Sequence, residues 1–432
     1  LGTLAEVKSN GVNVTILSGT VELDPRNNYD TITVNGSTAR LEFTNDLTIN
    51  LTVKVVEGTI DIDNKGNLTF LKGTNLSGIS SDSEIINHGH ISFNNDTFVI
   101  PNEIYFVDNG TVLIPNNVLK INGTWEIRDS YLNESVIIVQ GSGMINNSNS
   151  IVFSLNYSLN ISTVNLTIET GGKIDATGTG NLGVNALAGT GPGGGGTTTY
   201  DGGGGGYGGA GGDGIDGSVG GSTYGSVIMP VDWGSAGGGD STGKGAGGIG
   251  GGFIYINVSD TLIVNGTITS NGARGNDTGS TGTGGGSGGS IYIITNIFSG
   301  SGHINASGGN GSYVNGGSGG GGGGGGRVAV YYQTGVFTGF LNASGGIARE
   351  TEDGDNGTVF IHQLPKVNSI ISYPSSPETD EDVTLQANAT GDDVIWVNFT
   401  IIAANGTMVM NNSNATSWGG DFWNSTEFNV GN

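Results

Sequence analysis

Apolar residues along the first 170 positions alternate with polar ones. In Leu47-Thr48-Ile49-Asn50-Leu51-Thr52-Val53, the residues Leu47, Ile49, Leu51 and Val53 fall on one face and the polar residues on the other. A period of two is the signature of a half-buried strand. The same reading gives strands at Val12–Leu17, Thr31–Val34, Thr59–Ile62, Glu103–Val107, Thr111–Ile114, Val118–Ile121, Val136–Val139 and Val164–Ile168. Asn-Gly pairs at Asn10, Asn35, Asn109 and Asn122 separate them, and Asn-Gly tolerates the positive φ of a sharp corner. No stretch shows the 3.6-residue period of an amphipathic helix. The chain is expected to be all-β, either as hairpin sandwiches or as a parallel β-helix.

The second half decides between these two, because it repeats. Phe253-Ile254-Tyr255-Ile256, Ile291-Tyr292-Ile293-Ile294 and Val328-Ala329-Val330-Tyr331 each precede a second, shorter strand. Those shorter strands centre on Ile268, Ile304 and Leu341, about 36 residues apart, and Ile174 holds the same place upstream. The small residues Ala176, Ser270, Ala306 and Ala343 come into register beside them. One such repeat cannot bury its apolar face alone, but it can stack on a copy of itself. The pattern predicts a parallel β-helix, or solenoid, and the crossover rule makes it right-handed. Gly-Gly-x-Ile-x-Ile followed by Gly-x-Ile-x-Ala-x-Gly, over roughly residues 165–362, resembles the glycine-rich parallel β-helices of prokaryotic surface proteins.

Between the repeats lie glycine excursions, at Gly193–Gly196, Gly202–Gly206, Gly237–Gly239, Gly284–Gly286 and Gly319–Gly326. The chain has 432 residues, 85 of them glycine, against a usual share of about 7%. The alternatives are a flexible linker and an ordered layer flanking the solenoid. In such a layer extended strands bond backbone to backbone, as in polyglycine II, and recover the entropy cost of ordering glycine. The ordered layer is the expectation. The insert Val227-Ile228-Met229-Pro230-Val231-Asp232-Trp233 interrupts the glycine and is expected to pack into the core, with contact to a neighbouring molecule as the alternative.

From about Lys366 the composition shifts. Ile370–Tyr373, Val383–Ala387 and Val394–Ile401, with Trp396 facing inward, read as the first strands of an Ig-like β-sandwich module. The expected domains are 1–165, the N-terminal rungs; 166–365, the glycine-rich repeats; and 366–432, an Ig-like module that looks incomplete. The polypeptide is expected to continue past Asn432, with strand donation from another subunit, Val12–Leu17 being one donor, as the alternative.

Composition changes the picture chiefly through asparagine. Asn-x-Ser/Thr sequons number 26, against about nine expected from random placement of these residues. They lie at Asn13, Asn35, Asn50, Asn67, Asn75, Asn95, Asn109, Asn122, Asn133, Asn146, Asn156, Asn160 and Asn165. They resume at Asn257, Asn265, Asn276, Asn305, Asn310, Asn342, Asn356, Asn388, Asn398, Asn405, Asn411, Asn414 and Asn424. None lies between Asn165 and Asn257, the most glycine-dense stretch. N-linked glycans and an exported surface are the expectation. With no basic region and apolar run at Leu1, an exported chain would be the processed form, or one whose leader is omitted.

The formal charge is −24, there is no cysteine, and charged residues make up 12%. Collagen is excluded because the glycine has no three-residue period with proline. A disulfide framework and thiol zinc sites are excluded, and a nucleic-acid partner is disfavoured by the acidity. No apolar run is long enough for a transmembrane segment. Dense sequons, absent cysteine and an acidic balance resemble archaeal cell-surface glycoproteins, such as S-layer and extracellular filament subunits. That resemblance implies an extracellular, cell-surface structural protein that assembles with itself, and with other surface proteins or glycans.

Candidate chemistry is sparse. Asp353-Gly354-Asp355-Asn356-Gly357 sets oxygen ligands at alternate positions, as part of a calcium loop does, without the later bidentate Glu. Asp353 and Asp355 are therefore weak calcium candidates, and calcium is the one metal cofactor considered. Asp213-Gly214-Ile215-Asp216-Gly217 is weaker. His88 and His90 could share a strand face as a metal pair, but a stacked or surface position is the simpler reading. Arg274 and Arg327 flank glycine excursions, where carboxylates or glycans would be their partners. No catalytic cluster stands out, so the chain is expected not to be an enzyme. An adhesin or carbohydrate-binding stalk using Trp418, Trp423, Tyr200 and Tyr207 is the alternative, and a polysaccharide lyase or hydrolase ranks below it.

Overall fold

The computed structural model describes residues 158–242, 245–276, 281–313 and 319–364 with their side chains. Elsewhere only the backbones of the strands named below are described. Among the described residues there is no helix, and none long and apolar enough to cross a membrane. The chain is all-β and its principal sheets are parallel.

Two sheets are visited alternately. Long strands at Ser158–Ile168, Phe253–Val264, Ser290–Ser299, Arg327–Thr334 and Thr358–Gln363 are successive neighbours in an eight-stranded sheet. Short strands at Lys173–Asp175, Thr267–Thr269, His303–Asn305 and Phe340–Asn342 follow the first four of these and lie side by side in a 16-stranded sheet. The alternation extends upstream. Thr97–Ile100, Val118–Ile121 and Leu132–Val139 join the first sheet, and Ile104–Asp108, Thr124–Ile127 and Met144–Asn147 the second.

Register turns the sequence repeat into apolar columns. Parallel pairing lines up Ile60, Ile85, Phe106, Trp125, Ile145, Ile174, Ile268, Ile304 and Leu341. In the other sheet Phe98, Leu119, Ile137, Leu166, Leu262 and Phe298 form a second column. Side chains alternate along each long strand, so Leu159, Ile161, Leu166 and Ile168 are buried, as are Ile254, Ile256, Leu262, Val264, Ile291 and Ile293. Each such burial is worth about 1.5–3 kcal/mol. Ala176, Ser270, Ala306 and Ala343 are all buried beside the short strands.

The register is offset by one residue from the repeat that begins at Phe253 and Ile291. Ile254, not Phe253, pairs with Ile291. A one-residue slip would exchange the faces of every side chain in the strand. The buried position sets the register, and Phe253 is only half-buried.

Apart from Gly319, which pairs with Tyr313, the glycine segments lie outside the named strands, yet their backbones bond to several neighbours. Gly202 and Gly205 donate to Gly282 and Gly285, at 3.0 and 2.9 Å. Gly203 and Gly206 donate to Gly196 and Gly193, at 2.9 and 2.8 Å. Gly204 and Tyr207 donate to Gly212 and Gly209, each at 2.9 Å. Residues three apart therefore reach the same neighbour, as the threefold screw of an extended polyproline-II-like chain requires. The carbonyls repeat the pattern: Gly202 and Gly205 accept from Gly321 and Gly324, and Gly204 and Tyr207 from Gly221 and Tyr224. Segments from different repeats are thereby packed as a three-dimensional lattice, some parallel and some antiparallel.

Glycine is required here by contact rather than by torsion. Gly202–Gly206 do not have positive φ, but a Cβ on Gly204 would lie 1.9 Å from the Gly322 carbonyl oxygen. The glycine segments are ordered by these backbone bonds, as buried amides and carbonyls require.

The chain divides into two compact units, Leu1–Val330 with Val336–Phe360, and Tyr331–Gly335 with Ile361–Asn432. In the second, Lys366–Tyr373 pairs antiparallel with Asp382–Thr390, which pairs antiparallel with Phe422–Asn424. Asn398–Ile402 pairs antiparallel with Met408–Asn414. The expected inward Trp396 lies outside the described residues.

Gly204→Ala should destabilise the fold by about 3 kcal/mol or more, because overpacking meets backbone that cannot move aside. Gly217, with φ of 82° and open space around it, is the control, since Asn tolerates that conformation. Denaturant unfolding should show a large midpoint loss for Gly204→Ala and little change for Gly217→Asn.

Candidate functional site

The insert Tyr224–Trp233 rises from the glycine lattice and is anchored by a buried polar foot. Tyr207 is the largest fully buried side chain among the described residues. Its hydroxyl is 2.6 Å from Ser290 Oγ, which lies 2.6 Å from the Asp232 carbonyl oxygen. Tyr224 packs against Tyr207 with ring centroids 4.8 Å apart and shares a 2.8 Å hydroxyl contact with Ser235. Arg327, itself buried, donates from Nε and Nη2 to the Tyr224 carbonyl at 3.1 and 2.6 Å. It also donates from Nη1 to Thr358 Oγ1, and its guanidinium lies 5.3 Å from the Tyr207 ring centroid. Small glycine neighbours leave the space that two tyrosines and an arginine fill.

Above this foot the loop turns at Gly225, which has φ of 72°, and Ser226 Oγ accepts from the Met229 amide at 3.1 Å. Pro230 is buried. Val227, Ile228, Met229 and Val231 are 40%, 54%, 54% and 45% exposed. Core packing of this insert is thus overturned for those four side chains. The foot takes the interior, and the apolar tip is left outside. Tyr207 is likewise no surface contact, since burial removes it from any ligand, whereas Tyr200 is exposed. The side chains of Trp418 and Trp423 lie outside the described residues.

The sequons at Asn160, Asn165, Asn257, Asn265, Asn276, Asn305, Asn310, Asn342 and Asn356 have described side chains, and each is half-buried or exposed. Several use Oδ1 to accept from the next repeat. Asn265 accepts from the Ser301 amide at 3.2 Å, Asn310 from the Ile347 amide at 2.9 Å, and Asn165 from the Thr261 amide at 3.3 Å. Asn356 Oδ1 accepts from the Gly345 amide at 3.1 Å. In these residues the bonds run through the oxygen and leave Nδ2, the atom that carries an N-linked sugar. Asn342 differs: its Nδ2 is 3.1 Å from Asn305 Oδ1 and 2.9 Å from Ser307 Oγ. The side chains of the other sequons lie outside the described residues.

The calcium candidates Asp353 and Asp355 have described partners. Asp353 Oδ1 accepts from the Ala348 amide at 2.6 Å, which closes the Ala348–Asp353 loop on itself. The Asp355 backbone is a strand of the lattice, donating to Ala210 and accepting from Gly325. Among the described residues no three His, Asp or Glu side chains group to hold a metal. In the Asp213–Gly217 loop, Asp213 Oδ1 accepts from the Gly220 amide at 2.7 Å, and buried Asp201 accepts from the Asp216 amide. Both aspartates serve the turn. His90 begins a strand, but its side chain and all of His88 lie outside the described residues. Arg274 is exposed, unlike Arg327.

No protein-family model, curated protein or solved structure matches the chain.

Two outcomes follow from this geometry. Site-resolved mass spectrometry of the native protein should find sugar at Asn265, Asn276, Asn310 and Asn356, and low occupancy at Asn342, whose Nδ2 is already engaged. Burial pushes the Tyr207 pKa up to about 12 from 10.0, and pushes Tyr224 up as well. An unfolded tyrosine ionises near 10, so stability is intact below about pH 10 and falls as the pH rises towards 12. Tyr207→Phe should cost about 1 kcal/mol at neutral pH and make that alkaline fall in the unfolding midpoint shallower.

Proposed function

We propose that this chain is an extracellular structural glycoprotein, a subunit of a cell-surface filament or lattice that assembles by contacts between copies. On this reading the alternating parallel sheets form a right-handed β-helix, and the antiparallel strands after Lys366 belong to an Ig-like β-sandwich module.

The observation that carries the reading is a coincidence of two maps. The stretch without sequons, between Asn165 and Asn257, contains Ile215, Val219, Val227, Ile228, Met229 and Val231, all exposed. Exposed apolar residues grouped as at Val227–Met229 and Val231 mark an interaction surface, and sugar would block it. Elsewhere, sequons recur along the chain, and glycans there would shield the surface. The mechanism is mechanical. Backbone bonds along the parallel sheets and through the glycine lattice supply stiffness. The Tyr207–Tyr224–Arg327 foot holds the apolar tip in one position, so contact forms with little further ordering cost.

An adhesin or carbohydrate-binding stalk is the second reading, favoured by the exposed ring of Tyr200. Glycan binding abolished by Tyr200→Ala would support it.

Negative-stain microscopy and sedimentation test the first. The native protein should form filaments or sheets at high concentration. The triple variant Val227→Ser, Ile228→Ser, Met229→Ser should stay monomeric with an unchanged unfolding midpoint. Dispersed native monomers under native ionic conditions would sink the assembly proposal.

A further inference from the structure

The repeat brings Arg274, Asn310 and Ile347 into one cross-section, because Gly275 donates to the Asn310 carbonyl at 3.0 Å and Gly311 to the Ile347 carbonyl at 3.1 Å. These residues, with Tyr313, Ala348 and Arg349, line a groove of about 480 Å³. Small-molecule sites span about 300–1,000 Å³. In a chain with 14 basic and 38 acidic residues, two arginines line this one groove.

The groove is built rather than incidental. The Arg349 guanidinium lies 4.4 Å from the Tyr313 ring centroid. The ring restrains the guanidinium, whose N–H groups suit a carboxylate or sulfate. The loop that carries Arg349 is tied down at several points. Asp353 Oδ1 holds the Ala348 amide at 2.6 Å, Asn310 Oδ1 holds the Ile347 amide at 2.9 Å, and Thr351 Oγ1 donates to the Gly320 carbonyl at 3.0 Å. Glu350 takes φ of 63°, a conformation that residues other than glycine adopt only at a cost. Its carboxylate accepts from the Tyr313 hydroxyl at 3.3 Å, so both this acid and Asp353 are engaged within the loop.

We propose that this groove binds an anionic saccharide, one bearing a carboxylate or a sulfate. Arg274 and Arg349 would take the acid group, and Ile347 and Ala348 supply apolar lining for the sugar ring. The groove wall points to a saccharide rather than another anion, since Asn310 is both part of the lining and a sequon. A sugar joined to its Nδ2 would be presented to the arginines intramolecularly, at high effective concentration. The same chemistry could arrive on a glycan from another molecule. The choice of a saccharide and the question of its source rest on the glycoprotein reading above; the anion site itself does not.

The test uses the full chain produced without glycosylation, with glucuronate, glucose and inorganic sulfate as probes, followed by ligand-observed NMR. Glucuronate should bind. Glucose and sulfate alone should bind at least tenfold more weakly. Arg274→Ala and Arg349→Ala should each weaken glucuronate at least tenfold without moving the unfolding midpoint. Asp353→Ala should weaken it by loosening the loop, while Asp353→Asn, which keeps the accepting oxygen, should retain it. If the glycosylated protein fails to bind but Asn310→Gln restores binding, the chain's own sugar fills the groove. If both bind, the ligand comes from elsewhere. Glucuronate no stronger than glucose, sulfate as strong as glucuronate, or a double arginine variant that binds like the native chain would overturn the proposal. Loss of filaments would leave this binding unchanged, so the two proposals fail separately.

Discussion

An amide of one extended glycine segment meets the carbonyl of another at 2.7–3.1 Å across most of the lattice, and nothing larger than hydrogen fits beside that bond. This single steric and hydrogen-bonding condition governs the rest of the molecule. A β-strand bonds to two neighbours because its polar groups alternate in one plane. A threefold extended chain directs them to neighbours on all sides, which lets excursions from different repeats interlock. The cost is the large entropy of ordering glycine. It is offset only when the bonds around each segment are made together, so the lattice has little tolerance for local defects.

The lattice also explains where the other side chains go. A slab of glycine backbone has no apolar face to bury aromatic rings, yet Tyr207, Tyr224 and Arg327 are accommodated where the insert Tyr224–Trp233 leaves the slab. Their hydroxyl, carbonyl and guanidinium groups satisfy one another. Because the foot occupies the interior, Val227, Ile228, Met229 and Val231 are left outside. Rigidity below and apolar exposure above are thus two results of one packing decision.

Asparagine has a related double use. Its side-chain oxygen ladders from one repeat to the next at Asn265, Asn271 and Asn310, each bonding an amide 36 or 37 residues on. This gives the corner a polar clasp that neither a small apolar nor a charged residue would supply as well. The nitrogen of the same amide remains for chemistry outside. Abundant asparagine in this chain therefore serves repeat stacking as well as the sequon, and the two uses compete only where Nδ2 itself is bonded, as at Asn342.

Much of this was legible from the residues. The period of two identified strands, and the spacing of Ile268, Ile304 and Leu341 identified the stacking, because a column of like residues is the cheapest way to fill a repeating core. The ordered glycine layer was also legible, since a repeat places its excursions side by side. The alignment could not settle whether Phe253 or Ile254 faces inward, as adjacent apolar residues look alike until one is buried. It could not show that Asp353 closes a loop, that Tyr207 is buried, or that the insert points outward, since each depends on neighbours far along the chain. The groove falls between: Arg274, Asn310 and Ile347 are spaced by the repeat, as are Tyr313 and Arg349, but only the fold turned that spacing into a shared wall. Local pattern and repeat length determined which elements form and which stack. The tertiary structure decided which side chains the glycine lattice could admit, because exclusion by a backbone arriving from another repeat is invisible in any short stretch of sequence.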